Sequence, residues 1–284
     1  MKFRKIPYND TLYIKTKSTY ENIYHDFESF AQRLTVEAGK STKSSGKASS
    51  YARYLIRLII FYEAFFEEVM DPLVSFEAVK KLERLSRHEQ FKDYNKAEKH
   101  FPSATIGCFR AYITSKCEAQ EEYADIQLNN HLYQQNSDTE PIVDEQLRAM
   151  LVNGPKEKLA KKPNTIGVSY PRSIAESIEA KRRANYTCEM NDAHRTFINA
   201  ADHQNYIEAH HLIPMAAQDY YDYTIDFADN IVTLCPNCHR QIHYAVPHEK
   251  GELVEILFQK RQKNYENYGI DIDIARLKNF YGLL

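Results

Sequence analysis

The apolar positions of the N-terminal half recur every three or four residues. The clearest run predicts a helix with a wide buried face, at Tyr51, Tyr54, Leu55, Leu58, Ile59, Tyr62, Phe65, Phe66 and Val69. Ser49 or Ser50 is the candidate N-cap of this helix. Shorter helices are predicted near residues 20–36, 75–85, 104–119 and 142–152.

Polar stretches separate these predicted helices. Residues 39–50 (GKSTKSSGKASS) and 129–141 (NNHLYQQNSDTEP) predict loops. Residues 153–173 hold three prolines, two glycines and four lysines with little apolar periodicity, which is typical of a linker. We therefore expect two domains that meet near residue 160: a helical recognition domain over 1–160 and a second domain over 161–284.

The C-terminal part has a different pattern. A helix is predicted at IAESIEAKRRANY, and short strands at residues 206–211 and 230–234 are separated by a polar loop. A further helix is predicted to start near Cys238, and two more form the tail, parted at Gly269. The fold class that these elements predict is α+β and mostly helical.

Composition restricts the location and the partners. The 284 residues carry a formal net charge of -2 and have a pI near 6.6, so a nucleic-acid partner would need a local basic surface. No apolar run is long enough for a membrane span, and the N-terminal residues lack an apolar signal core. We expect a cytoplasmic protein without membrane contact.

An odd number of cysteines, five, in a chain expected to be cytoplasmic argues against a disulfide framework. Cys235 and Cys238 form a C-x2-C knuckle, and Cys188 lies upstream. Asn191 stands where a second knuckle cysteine would be, so His194 is the natural fourth ligand of a structural zinc ion, with His203 in reserve. The alternative is a redox pair or buried thiols, which is the expectation for Cys108 and Cys117.

Four histidines accompany the knuckle. His239 and His243 are four positions apart and share one helix face. His210 and His211 end the first predicted strand, where neighbouring side chains point to opposite faces. One of the two is therefore free to take a proton while the other binds a metal ion that stabilises charge on a phosphate. Together these are the parts of a phosphodiester hydrolase.

Two segments, EAHHLIP at 208–214 and DNIVTLCPNCHRQIH at 229–243, resemble the motif of the HNH, or ββα-metal, endonucleases. The resemblance implies that His211 is the general base, that Asn230 orients it or assists the metal, and that His239 is a metal ligand or a phosphate contact. It also implies that His210 and His243 are metal ligands. Glu208, on the same strand face as His210, is a candidate carboxylate.

The wider frame over about 170–284 is similar to restriction-type HNH nucleases, including modified-cytosine restriction enzymes. It departs from many members at Asn191, which affects only the fourth zinc ligand. The resemblance implies a DNA endonuclease that acts in restriction or defence on double-stranded DNA. Imidazole ligands suit zinc, nickel or manganese, whereas the family generally works with Mg²⁺, so we expect Mg²⁺ or Mn²⁺ as the catalytic ion.

Recognition residues are harder to predict. The stretch KASSYARYLIRLIIFYEAFF resembles the core-binding domains of tyrosine recombinases, which favours DNA targeting by the N-terminal domain. The candidate DNA-binding cations, which are equally interpretable as solvated charges, are Lys43, Lys47, Lys181, Arg182 and Arg183. Two alternatives stay open: a zinc-stapled DNA-binding protein that does not cut, and a nuclease subunit that partner proteins of a defence system direct. A homodimer is a further expectation.

Overall fold

The structure is a computed structural model that describes residues 2–37, 46–134, 148–164, 167–200 and 203–283. The chain divides into two compact units, Met1–Lys116 and Cys117–Leu284. Helices dominate, with two small antiparallel sheets, so the predicted fold class is confirmed. None of the helices in the described residues is long and apolar enough to cross a membrane.

The first unit is helical. Its helices are α1 (Thr11–Thr19), α2 (Glu21–Glu37), α3 (Gly46–Phe66), α4 (Phe76–Ser86), α5 (Phe91–Ala97) and the first half of α6 (Phe101–Gln134). Helix α3 supplies much of the core, because Leu55, Ile59 and Phe61 are fully buried. The helices predicted near 20–36 and 75–85 are therefore confirmed, and α5 is an additional one. The helix predicted over 51–69 is confirmed only as far as Phe66, because Val69 lies beyond its end and is 65% exposed.

Helix α3 begins earlier than the sequence indicated. Because it starts at Gly46, the serines predicted to cap it lie inside the helix, and that prediction is wrong. The hydroxyl of Ser50 donates to the carbonyl of Gly46 at 2.8 Å instead.

Helix α6 is much longer than the predicted 104–119, and residues 129–134 of the predicted loop belong to it. The reason is visible at Asn129, whose amide bonds both backbone groups of Ala209, at 3.0 Å and 3.3 Å. A polar residue that looked like a loop position thus serves as a buried contact. Of the helix predicted at 142–152, residues 142–147 lie outside the described residues.

The second unit contains the rest of α6 and the remaining elements. These are strands β1 (Lys162–Asn164) and β2 (Gly167–Ser169), helix α7 (Ile174–Arg183), strands β3 (Glu208–His211) and β4 (Ile231–Leu234), and helices α8 (Pro236–Tyr244), α9 (Pro247–Tyr265) and α10 (Ile274–Phe280). The strands and helices predicted in this part of the chain are confirmed, with shorter strands.

The segment predicted as a linker is folded. It contains the antiparallel β1–β2 pair, and Lys161 pairs with Asp219 at 2.9 Å. Lys158 donates to the carbonyl of Tyr221 at 2.8 Å. The compact units therefore divide between residues 116 and 117 and not near 160, because residues 117–134 and 153–164 pack with the C-terminal unit. The assignment of recognition and chemistry to separate domains stays a prediction.

Strands β3 and β4 and helix α8 form a ββα unit. The strands pair antiparallel, with Glu208 opposite Leu234 and His211 opposite Ile231. Five residues form one buried apolar cluster beneath the pair: Leu128, Ala180, Ala209, Ala228 and Ile231. This core joins α6, α7 and the strands, so it fixes the position from which the β3 histidines project.

Candidate functional site: two clusters of metal-ligating side chains

The first cluster consists of three thiols and an imidazole. Cys235 is the N-cap of α8, and its sulfur accepts the backbone N–H of Cys238 at 3.5 Å. Nδ1 of His194 lies 3.6 Å from the sulfur of Cys235 and 3.5 Å from that of Cys238. With Cys188, the ligand atoms all lie within 4.8 Å of one another. The structure thus brings together the four predicted ligands, whereas His203 is outside this cluster.

The donor set fits zinc. Three sulfurs and one imidazole nitrogen form a Cys3His set, which zinc binds tetrahedrally in structural sites. A hydrogen bond from the Cys238 thiol lowers the pKa of Cys188 to about 4. Because the thiolate is the form that binds metal, this cluster could hold a zinc ion.

The second cluster joins three elements. His210 projects from β3, His239 and His243 from α8, and Asp125 from α6; their ligand atoms lie within 4.8 Å of one another. Oδ2 of Asp125 is 2.8 Å from Nδ1 of His210 and 3.4 Å from Nε2 of His239. Nε2 of His243 is 3.3 Å from Nε2 of His239. Three imidazole nitrogens and a carboxylate oxygen that converge in a buried space fit a divalent cation.

Neighbouring side chains orient these imidazoles. Oε2 of Glu208 lies 2.7 Å from Nδ1 of His239, which turns Nε2 of that ring into the cluster. Nε2 of His210 lies 3.0 Å from the hydroxyl of Tyr281, which itself donates to the carbonyl of Leu212 at 2.8 Å. Glu208 thus contacts a candidate ligand and does not belong to the cluster itself.

Burial favours neutral rings. It lowers the pKa of His210 well below its ordinary value, and the neighbouring His239 lowers it further. Burial likewise lowers the pKa of His243, with His210 as the next cause. Since a neutral imidazole is the form that binds a metal ion, both rings are in the ligand state at neutral pH.

His211 faces a different partner from His210. Its Nε2 lies 2.8 Å from Oδ1 of Asp226, and its Nδ1 is buried without a hydrogen-bond partner among the described residues. Asp226 is held in turn by the backbone N–H of Ser173 at 2.6 Å. With the Nε2 proton donated to Asp226, Nδ1 carries a lone pair. The arrangement is a carboxylate-oriented imidazole with one free basic nitrogen.

Asn230 is fully buried, and its amide bonds are used within the fold. The amide oxygen accepts the backbone N–H of Ile213 at 2.8 Å and the hydroxyl of Tyr265 at 3.1 Å. The amide nitrogen donates to the carbonyls of Ile213 and Ile225, at 3.1 Å and 2.8 Å. Asn230 therefore fixes the backbone that follows His211, and these contacts lie outside the histidine cluster.

The five predicted DNA-binding cations have varied surroundings. Lys43 lies outside the described residues, and Lys47 is exposed in the first turn of α3. Lys181 is buried, with its ammonium 3.2 Å from Oδ1 of Asn129. Arg182 and Arg183 both pair with Glu179, at 2.8 Å and 2.7 Å. Their role in binding DNA stays a prediction.

Two functional candidates were missed from the sequence. Asp125 lies in the stretch between predicted elements, and its only signal is that it shares a helix face with Glu118, Glu121 and Glu122. Asp226 lies in the polar loop between the strands and gave no signal beyond its proximity to Asn230.

The fold and the site together define a class of protein, which has a ββα unit with three converging imidazoles beside a Cys3His cluster. Residues 194–245 match the family model described as HNH endonuclease, and this part of the chain is an HNH endonuclease domain. The type IV methyl-directed restriction enzyme EcoKMcrA of Escherichia coli (strain K12) is 42% identical over 57 residues, which are 20% of this chain and 18% of the relative. The chain thus spans less than a fifth of that curated relative. No solved structure matches the chain.

Proposed function

We propose that the protein is a metal-dependent endonuclease that hydrolyses phosphodiester bonds in double-stranded DNA. The observation that carries the proposal is the free Nδ1 of His211, in the residue next to His210 of the metal-ligating cluster. A pure DNA-binding module has no need of a basic nitrogen kept free by a carboxylate on the other side of the ring.

His211 acts as the general base in this proposal. Its Nε2–H points at Asp226 at 2.8 Å, which fixes the tautomer and leaves Nδ1 to take a proton from the attacking water. The carboxylate then stabilises the imidazolium that forms, as a buried aspartate does for the histidine of a Ser-His-Asp triad. Asn230 acts through the backbone after His211 and holds the ring in place.

His210, His239 and His243 hold the catalytic cation, which we propose is Mg²⁺ or Mn²⁺. When bound, this ion offsets the negative charge on the phosphate and on the leaving oxygen. Glu208 and Tyr281 keep two of the three rings in their ligand orientation.

The Cys3His cluster holds a structural zinc ion in this account. Cys238 directly precedes His239, so an ion bound there fixes where α8 begins and where its two histidines point. The zinc ion thus contributes to catalysis by placing residues and not by contacting DNA.

The setting that we propose is restriction or defence against foreign DNA. It is supported by the similarity of the HNH region to a methyl-directed restriction enzyme. We infer that the first unit, Met1–Lys116, recognises DNA or a partner protein, and that candidate cations such as Lys47 take part.

Plasmid cleavage tests the proposal. Zinc-loaded wild type is incubated with methylated and unmethylated supercoiled plasmid and Mg²⁺ or Mn²⁺. We expect nicked or linear product that chelation by EDTA abolishes, and a rate at least about 100-fold lower for His211→Ala. The zinc content and circular dichroism of the variant should match the wild type. A folded wild type that binds both plasmids and cuts neither would instead identify a non-cleaving DNA-binding protein.

A further inference from the structure

The second half of α6 turns an acidic face toward the HNH domain. Five polar residues lie three or four positions apart and share that face: Glu118, Glu121, Glu122, Asp125 and Asn129. On the other side of the same helix segment, Gln120, Tyr123 and Gln127 are exposed. An ordinary amphipathic helix turns its apolar face inward, whereas this segment turns a polar face inward. The burial of that face is explained by the groups that bind its side chains.

Cationic side chains of the HNH domain and its flanking segments form ion pairs with these carboxylates. Lys250 pairs with Glu118, and Arg240 and Tyr244 both donate to Glu122. Arg172 pairs with Asp125 and, at 2.8 Å, with Glu121. Three cations from separate parts of the chain thus converge on one helix.

Backbone donors complete the surface that receives α6. The N–H groups of Met215 and Ala216 donate to the carboxylate of Glu121 at 3.0 Å and 2.9 Å. Proteins bind the phosphates of a nucleic acid strand with the same groups, namely guanidinium, ammonium and backbone N–H donors placed along a row of anionic oxygens.

The same helix closes the metal site. Asp125 is 1% exposed, and His210 and His239 are 2% and 3% exposed. A catalytic ion must keep a position open for water or substrate, and with Asp125 in place a buried carboxylate takes one of the positions around the ion beside the three imidazoles. Nδ1 of His211 is likewise buried without a partner among the described residues. A phosphodiester cannot reach this centre while Asp125 stays in it.

We propose that residues Glu118–Asn129 of α6 occupy the DNA site of the HNH domain as an internal mimic of the phosphate backbone. Asp125 takes the position of the scissile phosphate among the metal ligands. Arg172, Arg240 and Lys250 form the phosphate-binding path that the other carboxylates cover. The inference rests on the proposed nuclease function, and it makes the described conformation an autoinhibited one that DNA opens by competition.

The type of contact suits a displaceable element. Two of the ion pairs are partly exposed: the side chains of Arg240 and Glu118 are 56% and 28% exposed, and those of their partners Glu122 and Lys250 are 13% and 9% exposed, whereas Arg172 and Asp125 are buried. Partly exposed ion pairs weaken with salt, so a polyanion competes first for Arg240 and Lys250, and the buried pair of Arg172 with Asp125 opens after them. Leu128 packs in the apolar cluster and retains the end of the segment when the acidic face is released.

The test measures DNA affinity without cutting. Glu118→Gln and Glu122→Gln are introduced together into the His211→Ala protein, loaded with zinc and Mn²⁺. Fluorescence anisotropy with a labelled DNA duplex gives the dissociation constant. We expect roughly tenfold tighter binding than in His211→Ala alone, because two of the competing carboxylates are neutralised. Adding Arg240→Ala should reverse most of that gain.

The control removes the same charge elsewhere. Glu252→Gln with Glu255→Gln neutralises two carboxylates on α9, one of which pairs with Lys278, and should change the affinity less than twofold. In wild type, hydrogen exchange of the amides in 118–125 should accelerate when unlabelled duplex is added. A purely structural role for the acidic face would leave that exchange unchanged.

Two outcomes overturn the inference in different ways. If the wild type binds and cuts DNA but the acidic-face variant gains no more affinity than the α9 control, the inference fails and the nuclease function stands. If no form of the protein binds or cuts DNA with either metal, the proposed function fails and the inference fails with it.

Discussion

Two adjacent imidazoles of β3 have different partners. His210 lies in the metal-ligating cluster with Asp125, whereas His211 contacts Asp226 and keeps one nitrogen free. The alternation of side chains along a strand makes this separation possible within two residues. We propose that the two rings have the roles of ligand and base, which one ring could not serve together.

Replacement of Asp226 by asparagine tests how His211 is oriented. Asp226→Asn removes the anion that fixes the tautomer and stabilises the imidazolium, so we expect DNA cleavage to fall roughly 10- to 100-fold. Single-turnover cleavage of a labelled duplex gives the rate, and calorimetric titration with Mn²⁺ gives the metal affinity.

The matched control is Asp219→Asn, which changes the same charge at a carboxylate paired with Lys161. Its cleavage rate should stay within about twofold of the wild type, because Asp219 bonds Lys161 and Tyr170 whereas Asp226 bonds His211. An Asp226→Asn protein that cuts at the wild-type rate would remove Asp226 from the mechanism.

The candidate site could be predicted only in part at the residue scale. His210, His239 and His243 were identifiable because they lie in strand and helix positions of a short local motif. Asp125 lies 85 positions from His210 and meets it only through the packing of α6. No local sequence pattern predicts such a contact, so only the structure could identify Asp125 as the fourth member of the cluster.

At the scale of elements, Cys235 links the Cys3His cluster to the cluster of Asp125 and three histidines. It caps α8, and Pro236 follows at the first helical position, where it has no N–H to satisfy. The helix that carries His239 and His243 therefore begins at the metal-ligating knuckle. Loss of the zinc ion should disturb both clusters together.

Cys235→Ser tests this dependence. We expect the variant to lose its structural zinc, to unfold at a lower temperature and to bind Mn²⁺ more weakly, because the start of α8 is no longer fixed. Elemental analysis by mass spectrometry and thermal unfolding monitored by circular dichroism give the two main readouts.

Cys108→Ala is the control, since Cys108 is a buried thiol of the first unit outside both clusters. It should keep the zinc ion even though its thermal stability falls. A Cys235→Ser protein with a full complement of zinc would show that the Cys3His cluster is not the zinc site.

The periodicity of apolar residues predicted α3 and α4 well, because each buries an apolar face. Helix α7 and the β3–β4 pair were also predicted, although α7 buries Glu176 and Lys181 and β3 buries two histidines. It failed for the second half of α6, whose inward face is acidic and looks like a solvated surface. It also failed for the β1–β2 pair, since three-residue strands within a segment rich in proline and glycine resemble a linker.

At the scale of the whole molecule, the HNH domain depends on elements far outside the matched residues 194–245. Asp125 and Glu121 come from α6, and Cys188 completes the thiol cluster from the turn after α7. The functional unit is therefore larger than the family motif, and its boundary could not be located from the sequence, because α6 belongs to it only through tertiary contacts.

The most direct measurement compares the two adjacent histidines. Mn²⁺ titration and single-turnover cleavage are performed on zinc-loaded His210→Ala and His211→Ala. The account predicts that His210→Ala loses both Mn²⁺ binding and cleavage, and that His211→Ala binds Mn²⁺ like the wild type while its cleavage falls at least about 100-fold. A His211→Ala protein that still cuts, or that loses the metal ion together with cleavage, would contradict the assignment of this residue as the general base.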